Sequence, residues 1–274
     1  MTATDLRHPP APAPSVRGRH LAVLLVAAFA GPWLVWGSAV AQAHGLLGWR
    51  LPQGLALWTL TPSLFAAVLV VGGRRGLREL AGRLTRVRAG ARWYLLALAT
   101  PVVVAAGAVA AVALAGGPTS VGVTLGLPAA LLYPLYGTGL FLLTEEAVWR
   151  GALLPRLQTR LAPLPAALVV GVVWAVWHLP LLSVPGAGDE GLPFAPFAVC
   201  VVGTGVLIAA LTNAAGGSVV VAAVFHAAFD AAYSYAGVIG TEHALLWAAA
   251  VLTTVAAAGV AVGTRGRLGL APPA

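Results

Sequence analysis

The sequence predicts an all-α, polytopic integral membrane protein, a bundle of about eight transmembrane helices. Hydrophobic residues make up 59% of the chain and charged residues only 9%, whereas about 25% of the residues in an average soluble domain are charged. The mean hydropathy is +0.90. Apolar runs of about 20 residues, the length that a helix needs to cross about 30 Å of hydrocarbon, follow one another from residue 21 to about residue 263.

Each of these runs is predicted to be one membrane span. In chain order they lie near 21–40, 55–73, 94–115, 121–144, 164–183, 193–213, 217–237 and 243–263. Several contain Gly or Pro, which bilayer helices tolerate where neighbouring helices satisfy the freed backbone groups. No polar stretch between them is long enough to fold alone. We therefore expect a single domain over 21–264, a disordered cytoplasmic lead at 1–20 and a short cytoplasmic tail at 265–274.

The arginines predict how the chain lies across the membrane. If the N-terminus is cytoplasmic, fifteen of the sixteen basic residues fall on one side and only Arg50 falls on the other. This asymmetry is typical of cytoplasmic loops and predicts a plasma-membrane protein with both termini in the cytoplasm. Because the arginines are spread over loops at one face, attraction to anionic membrane lipid explains the net charge of +8 better than nucleic acid does. Residues 74–92 are predicted to form an amphipathic helix along this interface.

Ionisable side chains inside or at the ends of the spans are candidates for a functional site. There are five of them: Glu145, Glu146, His178, His226 and Asp230. A charge at the bilayer centre costs on the order of 3 kcal/mol, so such residues usually surround a water-filled cavity in which they bind or react. A lone intramembrane His is more often a hydrogen-bond partner between helices. The presence of two His residues and several acids on three spans favours a functional cluster instead.

Helix geometry predicts different roles for the two neighbouring glutamates. Glu146 and Arg150 are four residues apart on one helix face, so they are predicted to neutralise each other. Glu145 points about 100° away around the helix and is predicted to face the bundle interior. His226 and Asp230 form a second pair four residues apart.

The depth of these groups in the bilayer raises a conflict. Straight helices would place Glu145 near the inner end of span four and His178 in the outer half of span five, too far apart to act together. Either span four must continue past Arg150, or span five must begin near residue 167. Pro180 predicts a bent or loosened helix end beside His178.

The nine tryptophans divide into two groups. Trp149, Trp174 and Trp177 occur in the polar motifs and could either wall a cavity or pack in the core. The other six lie near span ends and are predicted to form an interfacial belt: Trp33, Trp36, Trp49, Trp58, Trp93 and Trp247. The single cysteine, Cys200, excludes an internal disulfide and a cysteine-rich zinc site.

Three short motifs follow one another in the second half of the chain. They are Glu145-Glu146-x-x-x-Arg150, then Trp174 four residues before His178, then His226-x-x-x-Asp230. Each motif is weak alone, but three in this order within membrane spans are specific. Over residues 121–237 the pattern resembles that of the CPBP family of intramembrane proteases, also called the Abi or CAAX-protease-like family.

The resemblance implies a membrane-embedded peptide hydrolase related to type II CAAX prenyl endopeptidases, acting on peptide or membrane-protein substrates. It implies that Glu145 and His178 activate the attacking water. His226 and Asp230 would stabilise the oxyanion or help to hold a metal. Glu146 and Arg150 would brace the site, with Trp174 in a supporting position.

Two positions depart from the family pattern. The family usually has Phe at the place of Trp174, an exchange of one aromatic residue for another. It usually has Asn at the place of Asp230. Asn donates hydrogen bonds to an oxyanion, whereas an ionised Asp repels it. Asp230 must therefore be protonated, orient His226 or bind a cation.

Several alternatives stay open from sequence alone. The cofactor is either none or a divalent metal such as zinc, for which the possible ligands are Glu145, His178, His226 and Asp230. A non-catalytic membrane scaffold or immunity protein of the same fold is an alternative function. A proton-coupled transporter is less favoured because no internal repeat is visible. The absence of lysine suggests a GC-rich coding bias and a bacterial source.

Overall fold

A computed structural model describes residues 18–122, 125–240 and 243–270, and the elements in these ranges are all helical. The predicted lead at 1–20 falls almost entirely outside the described residues. The helices are α1 (Gly18–Ala43), α2 (Leu55–Leu84), α3 (Ala91–Leu114), α4 (Leu127–Leu143), a π-helix (Ala147–Leu153), α5 (Leu154–Leu157), α6 (Pro163–Trp177), a 3₁₀ turn (Leu181–Ser183), α7 (Phe194–Ala214), α8 (Val219–Tyr235) and α9 (His243–Gly263).

Six helical segments in the described ranges are long and apolar enough to cross a membrane: α1, α2, α3, α7, α9 and α6 taken together with its 3₁₀ turn. The segment from α4 to α5 passes the same test as a broken seventh span. The remaining predicted span corresponds to α8, a shorter apolar helix of 17 residues with mostly buried side chains. The predicted fold class is confirmed, and the predicted count of eight is roughly matched.

The span that carries the two glutamates is bent immediately before them. Helix α4 ends at Leu143, and Thr144 leaves the helical conformation with φ −110° and ψ −97°. The helical segments on either side of this break are inclined by 45°. The chain then continues through the π-helix to Leu157. Span four therefore extends past Arg150. This is one of the two arrangements that could bring Glu145 and His178 to the same depth.

The bounds of helix α6 decide the second arrangement, a later start of span five. It begins at Pro163, so the alternative start near residue 167 is wrong. It ends at Trp177 and not at residue 183, because the proline ring of Pro180 and its missing N–H do not allow the helix to continue. His178 is thus the first residue after the helix.

The arginine-rich stretch is helical over only part of its predicted length. Gly73 adopts a left-handed φ of +58° and breaks α2, and the helix then continues to Leu84. Leu80 and Leu84 are buried, whereas Val87 is 61% exposed. The amphipathic helix therefore ends about one turn after Leu80 and does not reach residue 92.

Close helix packing brings the site-bearing segments together. Helix α8 packs against α3 and α4, and α7 packs against α6 and α9. A side chain on Gly171 of α6 would have its Cβ only 3.0 Å from the Cα of Val202 in α7, so glycine favours this close approach of the two helices. The packing places the bend after α4, the end of α6 and the middle of α8 around one cavity.

Candidate active site

A cavity of about 540 Å³ lies between the bent span, α6, α7 and α8. Five of the predicted site residues line it: Glu145, Trp174, His178, His226 and Asp230. Most of its other walls are apolar or aromatic. The cavity thus combines ionisable groups with a largely non-polar enclosure, in which charges interact more strongly than they do in water. Glu146 and Arg150 are not part of its lining.

Trp174 connects the first two predicted catalytic residues. Its indole Nε1–H donates a 2.7 Å hydrogen bond to Oε2 of Glu145. Its backbone carbonyl lies 2.8 Å from Nδ1 of His178. Because a carbonyl oxygen can only accept, Nδ1 of His178 must carry the hydrogen. The neutral imidazole is thereby held with Nε2 as its acceptor nitrogen.

Glu146 lies behind the cavity wall in a buried charge network. Its Oε1 accepts a 2.8 Å hydrogen bond from Nη1 of Arg150, and both side chains have no exposed surface. The same oxygen lies 2.8 Å from Nδ1 of His226. The pairing with Arg150 agrees with the sequence prediction. The contact with His226 was not predicted, because the two residues are 80 positions apart and on different spans.

His226 is held by aromatic contacts as well. Its ring stacks on Phe141 with centroids 3.8 Å apart and planes parallel to within 1°. The ring edge of Trp174 meets it at 5.2 Å. Its Nε2 lies 3.9 Å from Oδ1 of Asp230, too far for a direct hydrogen bond. The imidazole is therefore positioned by Glu146 and the aromatic rings, with Nε2 directed toward Asp230.

Tyr133 completes the site, and the sequence did not indicate it. Its hydroxyl donates a 3.3 Å hydrogen bond to Oδ2 of Asp230, and both residues line the cavity. A tyrosine in an apolar span is typical of lipid-facing or interfacial positions. The only signal that could have identified it is its place near the start of the span that carries Glu145.

The loop between α6 and α7 contributes a further acid, Asp189, which was not among the predicted site residues. It is half-buried and lines the cavity. Removal from water raises the pKa of the Asp189 carboxyl above its usual range.

The positions of the tryptophans agree with the expectation only in part. Trp174 and Trp177 line the cavity, whereas Trp149 is fully buried and packs edge-on against Trp177, with ring centroids 5.9 Å apart. The assignment of Trp36 to the interfacial belt is wrong. It is only 3% exposed, lines the cavity and meets Trp177 at 4.6 Å.

The geometry gives no support to the possible metal site at Glu145, His178, His226 and Asp230. Within the ranges that the structure describes, no three His, Cys, Asp or Glu side chains are grouped so that they could hold a metal ion. Nδ1 of His178 is occupied by a backbone carbonyl, and Nδ1 of His226 by Glu146. In the described part of the chain these donors do not converge on one point, so the four side chains do not fit a metal ion.

Comparison with known proteins identifies the segment that carries the site. Residues 126–232 match the family model described as type II CAAX prenyl endopeptidase Rce1-like. A comparison with curated proteins found no match. The matched segment contains all three motifs, from Glu145 to Asp230. The matched family and the apolar helices together indicate a multi-pass membrane protein. Residues 126–232 thus match an Rce1-like family of the CAAX-protease type, which confirms the family resemblance that the three motifs predicted.

Proposed function

We propose that this protein is an intramembrane endopeptidase that hydrolyses a peptide bond with a water molecule activated by Glu145 and His178. The observation that supports it most is the double contact of Trp174. One residue binds the carboxylate of Glu145 through its indole and the ring of His178 through its backbone. An acid and an imidazole are thus held on one wall of a largely apolar cavity.

In this proposal the water molecule binds between Glu145 and Nε2 of His178. These groups accept its proton while its oxygen attacks the carbonyl carbon of the substrate. A new C–O bond forms, and the carbonyl oxygen takes up the negative charge. The proton then passes to the amide nitrogen as the C–N bond breaks. The products are a peptide with a new carboxylate and a peptide with a new amine.

The cavity also contains groups that can stabilise the developing negative charge. Oε1 of Glu146 accepts from Nη1 of Arg150 and lies 2.8 Å from Nδ1 of His226, so in this proposal Nδ1 of His226 donates to the carboxylate. When His226 is protonated, its Nε2–H can donate to the oxyanion. The Tyr133 hydroxyl is a second donor, because it can turn from Asp230 to the substrate. Membrane lipid and a peptide or membrane-protein segment are the proposed partners, and the plasma membrane is the proposed location.

The test is cleavage of quenched peptides by the purified full chain in proteoliposomes. Glu145→Gln keeps the size of the side chain but removes the base, so we expect a rate loss of about a hundredfold or more. Glu79→Gln is the matched control, because Glu79 is exposed and pairs with Arg75 at the surface. A chelator in parallel tests for a metal requirement.

Equal cleavage by wild type and Glu145→Gln would contradict the proposal. A Glu145→Gln protein that unfolds at the same temperature as wild type is needed for the comparison to be valid. If that protein is folded and neither form cleaves any peptide, a non-catalytic scaffold becomes the better interpretation.

A further inference from the structure

The cavity opens at one end of the helix bundle. Its lining includes Gln53 and Gly54, which precede α2, and the loop residues Gly186, Gly188 and Asp189, which follow α6. Gly54, Gly186 and Gly188 are exposed. The side chain of Gln53 donates a 2.9 Å hydrogen bond to the carbonyl of Pro185, so the two loops meet at the opening.

The connections between helices fall into two sets at opposite ends of the bundle. We call the end with the opening the mouth end; it comprises residues 44–54, 115–122, 178–193 and 236–240. We call the other the arginine end; it comprises residues 85–90, 158–162, 215–218 and 264–268 with the helix ends beside them. Hydrogen bonds join connections within each set. Gly122 N–H donates to the carbonyl of Tyr235 at the mouth end. The Ser218 hydroxyl donates to the carbonyl of Arg86 at the arginine end.

Positive charge is concentrated at the end away from the opening. Of the fourteen arginines in the described ranges, twelve lie at the arginine end or on the helix turns beside it. Arg150 is buried inside the bundle, and Arg50 lies at the mouth end. Arg156 lies near Gly72 and Gly76 of α2, which confirms that the turns around Gly73 belong to the arginine end. By the positive-inside rule, this end faces the cytoplasm.

We infer that the site is reached from the non-cytoplasmic side of the membrane, and that its substrate is an extended, largely apolar peptide segment exposed on that side. The second part of this inference rests on the proposed peptidase function, whereas the first does not. The substrate chemistry follows from the walls, which are formed mainly by aromatic and aliphatic side chains. A segment of an exported peptide, or of a membrane protein close to its outer boundary, has this chemistry.

Cysteine labelling tests the sidedness without any assay of cleavage. The native Cys200 is buried and is replaced by alanine in the starting variant. Gly48→Cys and Gly188→Cys report on the mouth end, and Gly82→Cys and Gly263→Cys report on the arginine end. All four glycines are exposed, and an added Cβ at each would meet no atom within 4 Å. The four variants are therefore matched in accessibility.

A membrane-impermeant maleimide is added to bacterial spheroplasts that express the full chain. We expect it to label the mouth-end pair in intact spheroplasts and the arginine-end pair only after lysis. Labelling of the arginine-end pair alone, or of all four variants, from the outside would overturn the inference. Unfolding in detergent must expose all four cysteines to the reagent, which verifies their reactivity.

Cleavage in the same membranes separates this inference from the proposed function. A quenched peptide added to right-side-out spheroplasts should be cut, and the same peptide should stay intact outside sealed inverted vesicles. Cleavage by inverted vesicles only would overturn the inference while leaving the peptidase in place. If the labelling is as expected and neither preparation cleaves, the proposed function and its substrate fail, and only the sidedness of the cavity stands.

Discussion

The indole N–H of Trp174 donates a 2.7 Å hydrogen bond to the carboxylate of Glu145. Residues 29 positions apart, on two different spans, are joined by this contact. The family pattern usually has phenylalanine at the position of Trp174, and phenylalanine has no such donor. The carboxylate of this chain is thus oriented by a hydrogen bond that the usual residue could not supply.

Trp174→Phe tests the contribution of this hydrogen bond. An aromatic ring remains at this position while the donor is lost, and hydrogen bonds to charged groups contribute about 1.5–3 kcal/mol. We expect kcat to fall by about tenfold or more, with a smaller change in KM. Trp247→Phe is the control, because Trp247 is half-exposed at the start of α9. An unchanged kcat in Trp174→Phe would show that the orientation of Glu145 does not depend on the indole.

His178 is expected to act through Nε2. His178→Asn preserves a donor near the position of Nδ1, and His178→Gln places an amide near the position of Nε2, but neither accepts a proton. We expect both variants to lose about a hundredfold or more in kcat, as the removal of a general base does. The exposed His44 provides the control His44→Gln. Retained activity in His178→Gln would indicate that His178 only orients water.

Asp230→Asn distinguishes the roles left open for Asp230. Asparagine can still accept the hydrogen bond of Tyr133, and its amide adds a donor to the cavity. We expect this variant to be at least as active as wild type. Tyr133→Phe should reduce kcat, by up to the roughly 10²–10³-fold seen when an oxyanion donor is removed. An inactive Asp230→Asn would show that the negative charge itself is required.

The buried pair of Glu146 and Arg150 is expected to matter for stability. Arg150→Leu leaves the buried carboxylate without its cation, which typically costs about 3–5 kcal/mol. We expect a clear fall in the unfolding temperature in detergent. The double variant Glu146→Gln, Arg150→Leu should recover much of that loss, because no unpaired charge remains. Arg75→Leu, at an exposed pair with Glu79, should change the temperature little.

Asp189 should make the binding of cationic peptides depend on pH. Its raised pKa means that the carboxyl stays neutral to higher pH than an ordinary aspartate and becomes negative as the pH rises through that value. We expect KM for a peptide carrying one lysine to fall over this rise, and KM for the matched glutamine peptide to stay level. Asp189→Asn should remove the difference between the two peptides. The same pH profile in Asp189→Asn would exclude this carboxyl as its source.

Some of this site could be predicted because local helix geometry was sufficient. The angle of about 100° between neighbouring residues separated Glu145 from Glu146. The structure places the first in the cavity wall and the second behind it. The spacing of four residues likewise predicted the contact of Glu146 with Arg150.

Other features depend on tertiary contacts that leave no periodic signal. The link between Glu146 and His226 joins two spans just after the bend at Thr144, where the span changes direction by 45°. Tyr133 has its polar partner 97 positions away. Trp36 resembled an interfacial residue because it lies near a span end, but its ring is covered by Trp177. In each case a residue's role was decided by a partner on another helix.

The volume of the cavity limits which peptides the proposed peptidase can cut. The cavity volume of about 540 Å³ lies in the range of small-molecule pockets, so only a short stretch of a helix about 10 Å across fits inside it. The backbone carbonyls of a helix are also occupied by its own hydrogen bonds. A peptide must therefore unwind locally before water can attack it. Among segments of similar hydrophobicity, those weakened by glycine or proline should be consumed first, and stably helical ones should survive.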